Sequence, residues 1–176
     1  MVDEPRWVPS STLDAGTLDY SSREWLLDTG SLTQRLQEKS AGAFRVQRLS
    51  QRWGVPHLSE RQLLQLPLRQ HALIREVVLL CHEQPWVYAR SVLPVASLTG
   101  SMRQLRKLQN QSLGALIFQQ PNLQRGEFEV CLLAPQSDYI HPAYRQDQNA
   151  WARRSRFALS GKSLMVSEVF LQAFQS

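Results

Sequence analysis

Residues 72–95, ALIREVVLLCHEQPWVYARSVLPV, constrain the fold of this chain more than any other stretch. Two runs rich in branched and aromatic residues flank the polar turn His82–Gln84, which is the pattern of two strands joined in a hairpin. The first run has almost no polar face: Leu73, Val77, Leu79 and Cys81 alternate on one side, Ile74, Val78 and Leu80 on the other. Such a strand is buried on both sides, so the hairpin belongs inside a sheet. Two charges interrupt it. Arg75 shares the first face and Glu76 the second, and a buried charge is costly unless something pairs with it. Arg75 has three readings: partner to a carboxylate elsewhere in the chain, snorkelling edge residue, or bidentate clamp for a ligand carboxylate in a dry pocket. Spacing alone leaves all three open.

The same difficulty returns in RRSRFALSGKSLMVSEVFL, residues 153–171. Gly161 at the first central position predicts a two-residue type II′ turn. That register pairs Ser160 with Ser163, Phe157 with Val166 and Ser155 with Glu168. Period 2 assigns Phe157, Leu159, Leu164, Val166 and Phe170 to a core face. Arg154, Arg156, Ser160, Ser163 and Ser167 fall on a mostly solvated one, with Met165 and Val169 as exceptions. Glu168 lies on the core face, opposite Ser155 and diagonal to Arg153. A structural ion pair and a ligand site are both open on the hairpin alone.

Elsewhere the chain alternates short helices with strands. SSREWLLDTGSLTQRLQEK reads as two helices, with capping-box spacing at Ser21/Glu24 and Ser31/Gln34 and with Gly30 between them. TGSMRQLRKLQNQSLGALIF repeats the arrangement, with Ser101/Gln104, a stop at Asn110 and a restart at Ser112. Each pair opens its second helix with Ser-Leu. GAFRVQRLSQRWGVP and LQRGEFEVCLLAP read as strands, LSERQLLQ as a helix, and QSDYIHPAYRQDQNA, residues 136–150, as a polar loop. Neighbouring strands in hairpins predict an antiparallel sheet with helices packed on it, an α+β domain over 21–176 preceded by a loosely held arm over 1–20.

The net charge of +5 favours anionic partners. The arginines are scattered, and Trp86, Tyr88 and Phe157 lie in core-like runs, so a small polyanion is expected rather than nucleic acid. The four histidines are isolated from each other and pair with no cysteine at ligand spacing, which argues against a metal site. Cys81 and Cys131 sit in apolar runs and read as buried free thiols in a reducing cytoplasm. No apolar run approaches a membrane span, and the first residues lack the features of a secretory signal. The expectation is a cytoplasmic monomer with no stable membrane insertion.

WLLDTGSLTQRL, IREVVLLCHEQPWVYARSVLPVASLTG, SLGALIF and WARRSRFALSGKSLMVSEVFL together resemble the chorismate pyruvate-lyase family of bacterial ubiquinone biosynthesis, in that family's order. The RRSR…LSGK hairpin is the most specific of these motifs. The resemblance implies an antiparallel sheet of about six strands with two helix-turn-helix flaps over an internal pocket. It implies conversion of chorismate to 4-hydroxybenzoate and pyruvate, with no metal or organic cofactor and with tight retention of the product. It assigns ligand binding to Arg75, Glu168, Leu113 and, at the other flap, Leu32. Glu168 would hold the ring hydroxyl and serve as base for the adjacent proton, or only position a substrate whose enolpyruvyl group takes that proton itself. For the second carboxylate, Arg153 is expected from its diagonal position, with Arg90 as a second candidate. A non-catalytic sensor of small aromatic acids on the same fold is the alternative reading.

Overall fold

The computed structural model describes residues 4–174. Its centre is the expected hairpin, β3 (Ala72–Cys81) and β4 (Gln84–Pro94), paired from Ala72↔Pro94 to Cys81↔Gln84 with a one-residue register shift between Leu79 and Leu80. His82 and Glu83 form the turn with φ of 50° and 59°. Positive φ at both central residues makes a turn whose twist matches the flanking strands. Every residue of β3 is buried, the two charges included.

Around this hairpin the sheet runs in the order β1-β6-β7-β8-β4-β3-β2, with β5 pairing β7. All pairs are antiparallel. The long strands are β2 (Phe44–Gly54), β3, β4, β6 (Glu129–Leu133), β7 (Ala150–Leu159) and β8 (Lys162–Phe170). Two-residue strands, β1 (Val8–Pro9) and β5 (Gln124–Arg125), raise the expected six to eight. The helices are α1 (Tyr20–Leu26), α2 (Leu32–Lys39), α3 (Leu58–Leu64) and α4 (Leu113–Ile117), with a 3₁₀ segment over Gly100–Lys107. Ser31 and Ser112 cap α2 and α4 as expected, accepting from Gln34 N and Ala115 N. Asp19 rather than Ser21 caps α1, and no side chain caps the 3₁₀ segment at its start. Among the described residues no helix is long and apolar enough to cross a membrane.

The C-terminal hairpin corrects the expected register. Its two turn residues are Ser160 and Gly161, with φ of 51° and 75°, so the turn is of the type I′ class rather than II′. Phe157 pairs with Leu164, Ser155 with Val166, and Arg153 with Glu168. The slide is two residues, an even number, so every side chain keeps its face and only the partners change. The face expected to be mostly solvated is buried in part: Arg154 and Ser167 are buried, Arg156 and Ser163 half-buried and Ser160 exposed. Met165, Ser167 and Val169 have no exposed surface, because α3 and the 134–149 loop cover them. That loop brings Tyr139 and Ile140 onto the sheet beside Val78, Tyr88 and Val169.

The N-terminal segment is tied down from residue 4. Glu4 accepts from Leu58 N at 2.8 Å and Ser59 N at 2.9 Å, satisfying free donors at the start of α3. Trp7 packs edge-on against Tyr139, and Val8 pairs with Val130. Cys81 and Cys131 are buried free thiols, as expected.

Candidate active site

Opposite the face covered by α3, the sheet and the two flaps enclose a cavity. Its floor includes Arg75 and Val77 of β3, Ala89 and Ser91 of β4, and Val166 and Glu168 of β8. Thr33 of α2 and Leu113 and Ile117 of α4 form the roof. The floor is set by register: Arg75 pairs with Ser91 and Ser91 with Val166, while Val77 pairs with Ala89 and Ala89 with Glu168. Arg75 and Glu168 thus share one face, two strands apart and offset by two residues, which puts their Cα atoms about 12 Å from each other. The cavity offers about 40 Å³ to the centres of water-sized molecules, room for about three waters.

Arg75 is 1% exposed. Nη1 donates to Gln109 O at 2.9 Å and Gln51 Oε1 at 3.4 Å, and Nη2 to Gln111 O at 2.8 Å. Among the described residues no carboxylate pairs with it. Burial, helped by the charge of Arg48, pulls its pKa down to about 10. Its hydrogen bonds hold the segment that leads into α4, so the same guanidinium orders the second flap.

Glu168 is the direct cross-strand partner of Arg153, whose Nε donates to Oε2 at 2.6 Å. Oε1 has no hydrogen-bond partner among the described residues. Arg153 is fully buried and does not line the cavity. Its Nη1 donates to the carbonyls of Trp25 (3.1 Å), Leu26 (3.2 Å) and Asp28 (2.9 Å) at the end of α1, and its guanidinium lies over Phe128. The residue expected to meet a second substrate carboxylate therefore stands behind Glu168 and ties it to the first flap.

Arg90 points the other way. Odd residues of β4 face the cavity, and Arg90 bonds Glu60 through Nε at 2.7 Å and Nη2 at 3.1 Å on the α3 side. Glu76 lies on the same side, accepting from Tyr88 at 2.6 Å and from Ser50. This buried network accounts for Glu76 and removes Arg90 from the cavity.

Of the two flap leucines, Leu113 lines the cavity, while Leu32 is buried in the apolar cluster with Val46, Val77 and Leu79. Its neighbour Thr33 takes the lining position. Thr33 Oγ1 and Ser112 Oγ are 2.7 Å apart, a hydrogen bond that fastens one flap to the other. Gly114 permits this approach: a Cβ there would meet Thr33 Oγ1 at 3.3 Å.

Sequence reasoning missed Arg125. Its Nε donates to Ser155 Oγ at 2.8 Å and Nη1 to Thr29 O at 3.2 Å, and its guanidinium lies over Phe128 and over Phe157, a cavity residue. Burial brings its pKa down to about 10 despite the opposing charge of Glu168. It sits on a two-residue strand beyond the reach of any periodicity, so no local signal marks it.

The model of the family described as "Chorismate lyase" matches residues 1–176. The chain belongs to that family. A probable chorismate pyruvate-lyase of Methylobacillus flagellatus is 42% identical over 172 residues, covering 94% of this chain and 92% of the relative. One from Pseudomonas aeruginosa is 41% identical over 148 residues, covering 84% and 82%. Among solved structures, a GntR-family transcriptional regulator from Bacillus cereus superposes with a TM-score of 0.52 at 12% identity, covering 76% of this chain and 96% of that one. That likeness is one of fold.

Proposed function

We propose that the chain is a chorismate pyruvate-lyase, eliminating pyruvate from chorismate to leave 4-hydroxybenzoate, the entry step of ubiquinone biosynthesis. One observation carries the reading within this family. Among the described residues, a buried arginine with no carboxylate partner and a glutamate with one oxygen outside any hydrogen bond face the same cavity.

Chorismate is a dianion with a ring carboxylate at one end and a hydroxyl-bearing carbon next to the enolpyruvyl ether at the other. Arg75 grips the ring carboxylate by charge-assisted hydrogen bonds. Glu168 Oε1 meets the hydroxyl end and takes the proton from the hydroxyl-bearing carbon. The C–H electrons complete the aromatic ring as the ether C–O bond breaks. Enolpyruvate leaves, picks up a proton and becomes pyruvate. Aromatisation supplies the driving force, so the protein mainly orients the substrate, and the sequence of steps needs no metal or organic cofactor. Arg125, over Phe157, is the candidate partner for the enolpyruvyl carboxylate. Leu113 and Thr33 close over the ring and exclude water. The narrowness of the cavity supports flap opening as the step that admits substrate and releases product. Two buried, unpaired thiols suit a reducing cytoplasm.

The test is incubation of EDTA-treated protein with chorismate, following pyruvate and 4-hydroxybenzoate, beside Arg75→Ala and Glu168→Ala. Equimolar products from the parent and large losses in both variants support a cofactor-free lyase with these residues in its site. If 4-hydroxybenzoate binds but no product forms, the chain is a binding protein on this scaffold.

A further inference from the structure

Among the described residues seven large apolar side chains are exposed, and four of them, Trp53, Val55, Leu68 and Val95, gather at one end of the sheet. The register puts them there. Gly54 pairs with Ala72 and Ala72 with Pro94, so three strands end in one row. Val55 follows Gly54, Val95 follows Pro94, and Leu68 tips the turn that leads into Ala72. Leu68 is 82% exposed, which is unusual for a leucine in a chain that buries both faces of its sheet.

The charge around these side chains has one sign. Residues 52–72 and 94–107 contain Arg52, Arg61, Arg69, Arg103, Arg106 and Lys107 against a single acid, Glu60. Glu60 is fully buried and bonded to Arg90, so it offers nothing to the surface. Arg106 sits over the Trp53 ring, its Cζ 5.6 Å from the centroid, and Gln51 Nε2 donates to Arg106 O. These contacts fasten the basic 3₁₀ segment to the same end. Glu4 is spent on the backbone of Leu58 and Ser59, and Glu76 and Asp138, which share a groove with Arg52, are paired with Arg90 and Arg145.

We infer that this end of the sheet is a docking surface for an anionic lipid bilayer. Aliphatic tips rimmed by arginines, with a tryptophan at the boundary, match the acyl and headgroup layers of such a surface. A nucleic acid would instead call for several exposed aromatics to stack on bases, and among the described residues Trp53 is the one exposed Phe, Tyr or Trp at this end. The docking is peripheral and reversible, since the apolar area consists of a few side-chain tips. The same end carries the segment that runs through Gln109–Gln111 into α4, so the roof of the cavity adjoins the docked surface.

Flotation of the full chain with vesicles of phosphatidylcholine plus phosphatidylglycerol, beside phosphatidylcholine alone, tests this. Binding is expected to the anionic vesicles and to weaken in high salt. Arg69→Ser with Arg103→Ser should lower the partition coefficient about twentyfold, and Leu68→Ser with Val95→Ser about tenfold. Thermal unfolding and chorismate turnover should match the parent in both pairs, which separates loss of docking from loss of fold. Absence of binding to anionic vesicles, or binding that both pairs leave unchanged, overturns the proposal. So does displacement from vesicles by single-stranded RNA whose own binding depends on the arginines and not on the leucine and valine.

Discussion

Arg153 and Glu168 face each other directly across the β7–β8 pair, with Nε and Oε2 2.6 Å apart, and the same guanidinium holds three carbonyls at the end of α1. One buried arginine therefore fixes the proposed base and one of the flaps above it. Arg153→Met keeps the volume but strands the carboxylate and releases α1. It should cost about 3–5 kcal/mol of stability in urea unfolding. It should also speed 4-hydroxybenzoate release in stopped-flow measurements. Unchanged release despite the lost stability would show that α1 is held by its apolar contacts alone.

Glu168→Gln preserves shape and can still accept from Arg153 while removing the basic oxygen. Turnover should fall about 10²–10⁴-fold, with 4-hydroxybenzoate affinity changing far less. Near-parental turnover would favour transfer of the ring proton to the enolpyruvyl group and leave Glu168 a positioning residue.

The Thr33–Ser112 hydrogen bond is the polar clasp between α2 and α4. Thr33→Val should loosen it by about 1 kcal/mol and raise the product dissociation rate about fivefold, with single-turnover chemistry unchanged. Ser112→Ala should cost more, because Ser112 also caps Ala115 N. A double-mutant cycle isolates the clasp, and zero coupling would remove it from the release step.

Burial pushes the Glu60 carboxyl up, but the hydrogen bonds and charge of Arg90 outweigh it and leave the pKa below the ordinary value. Glu76 is lowered too, burial opposing and Ser50 and Tyr88 prevailing. A carboxyl depressed on folding contributes stability that is complete above its unfolded pKa, about 4.3, and is lost as pH falls through the folded value. Unfolding free energy should therefore drop below about pH 4.5. Glu60→Gln should lose about 3–5 kcal/mol at neutral pH and show a shallower acid limb. An acid limb identical to the parent's would assign it to other carboxylates.

The face of each strand residue could be read from the chain, because side-chain direction alternates with period 2 whatever the partner. Period 2 therefore places Glu168 on the core face even though a type II′ turn would shift its hairpin register by two residues. Register depended on turn type, and SGKS admits either Gly161-Lys162 or Ser160-Gly161 at the centre. Tertiary context chose the latter, replacing Ser155 by Arg153 opposite Glu168. Burial on the second face is equally hidden, since Ser167 looks solvated until Tyr139 covers it, their hydroxyls 2.7 Å apart.

What the sequence determined by itself was local: the hairpins, the serine caps of α2 and α4, the two-sided burial of β3, and the awkward charges at Arg75 and Glu168. These follow from backbone sterics and periodicity acting over a few residues. Only the tertiary structure decided which charges meet. Arg153 closes on α1 more than 120 positions away, Arg125 lies over Phe157, Arg90 turns to Glu60, and Thr33 reaches Ser112. Such pairings depend on strand order and on how helices cross the sheet, and a long flexible side chain carries no periodic trace of its destination.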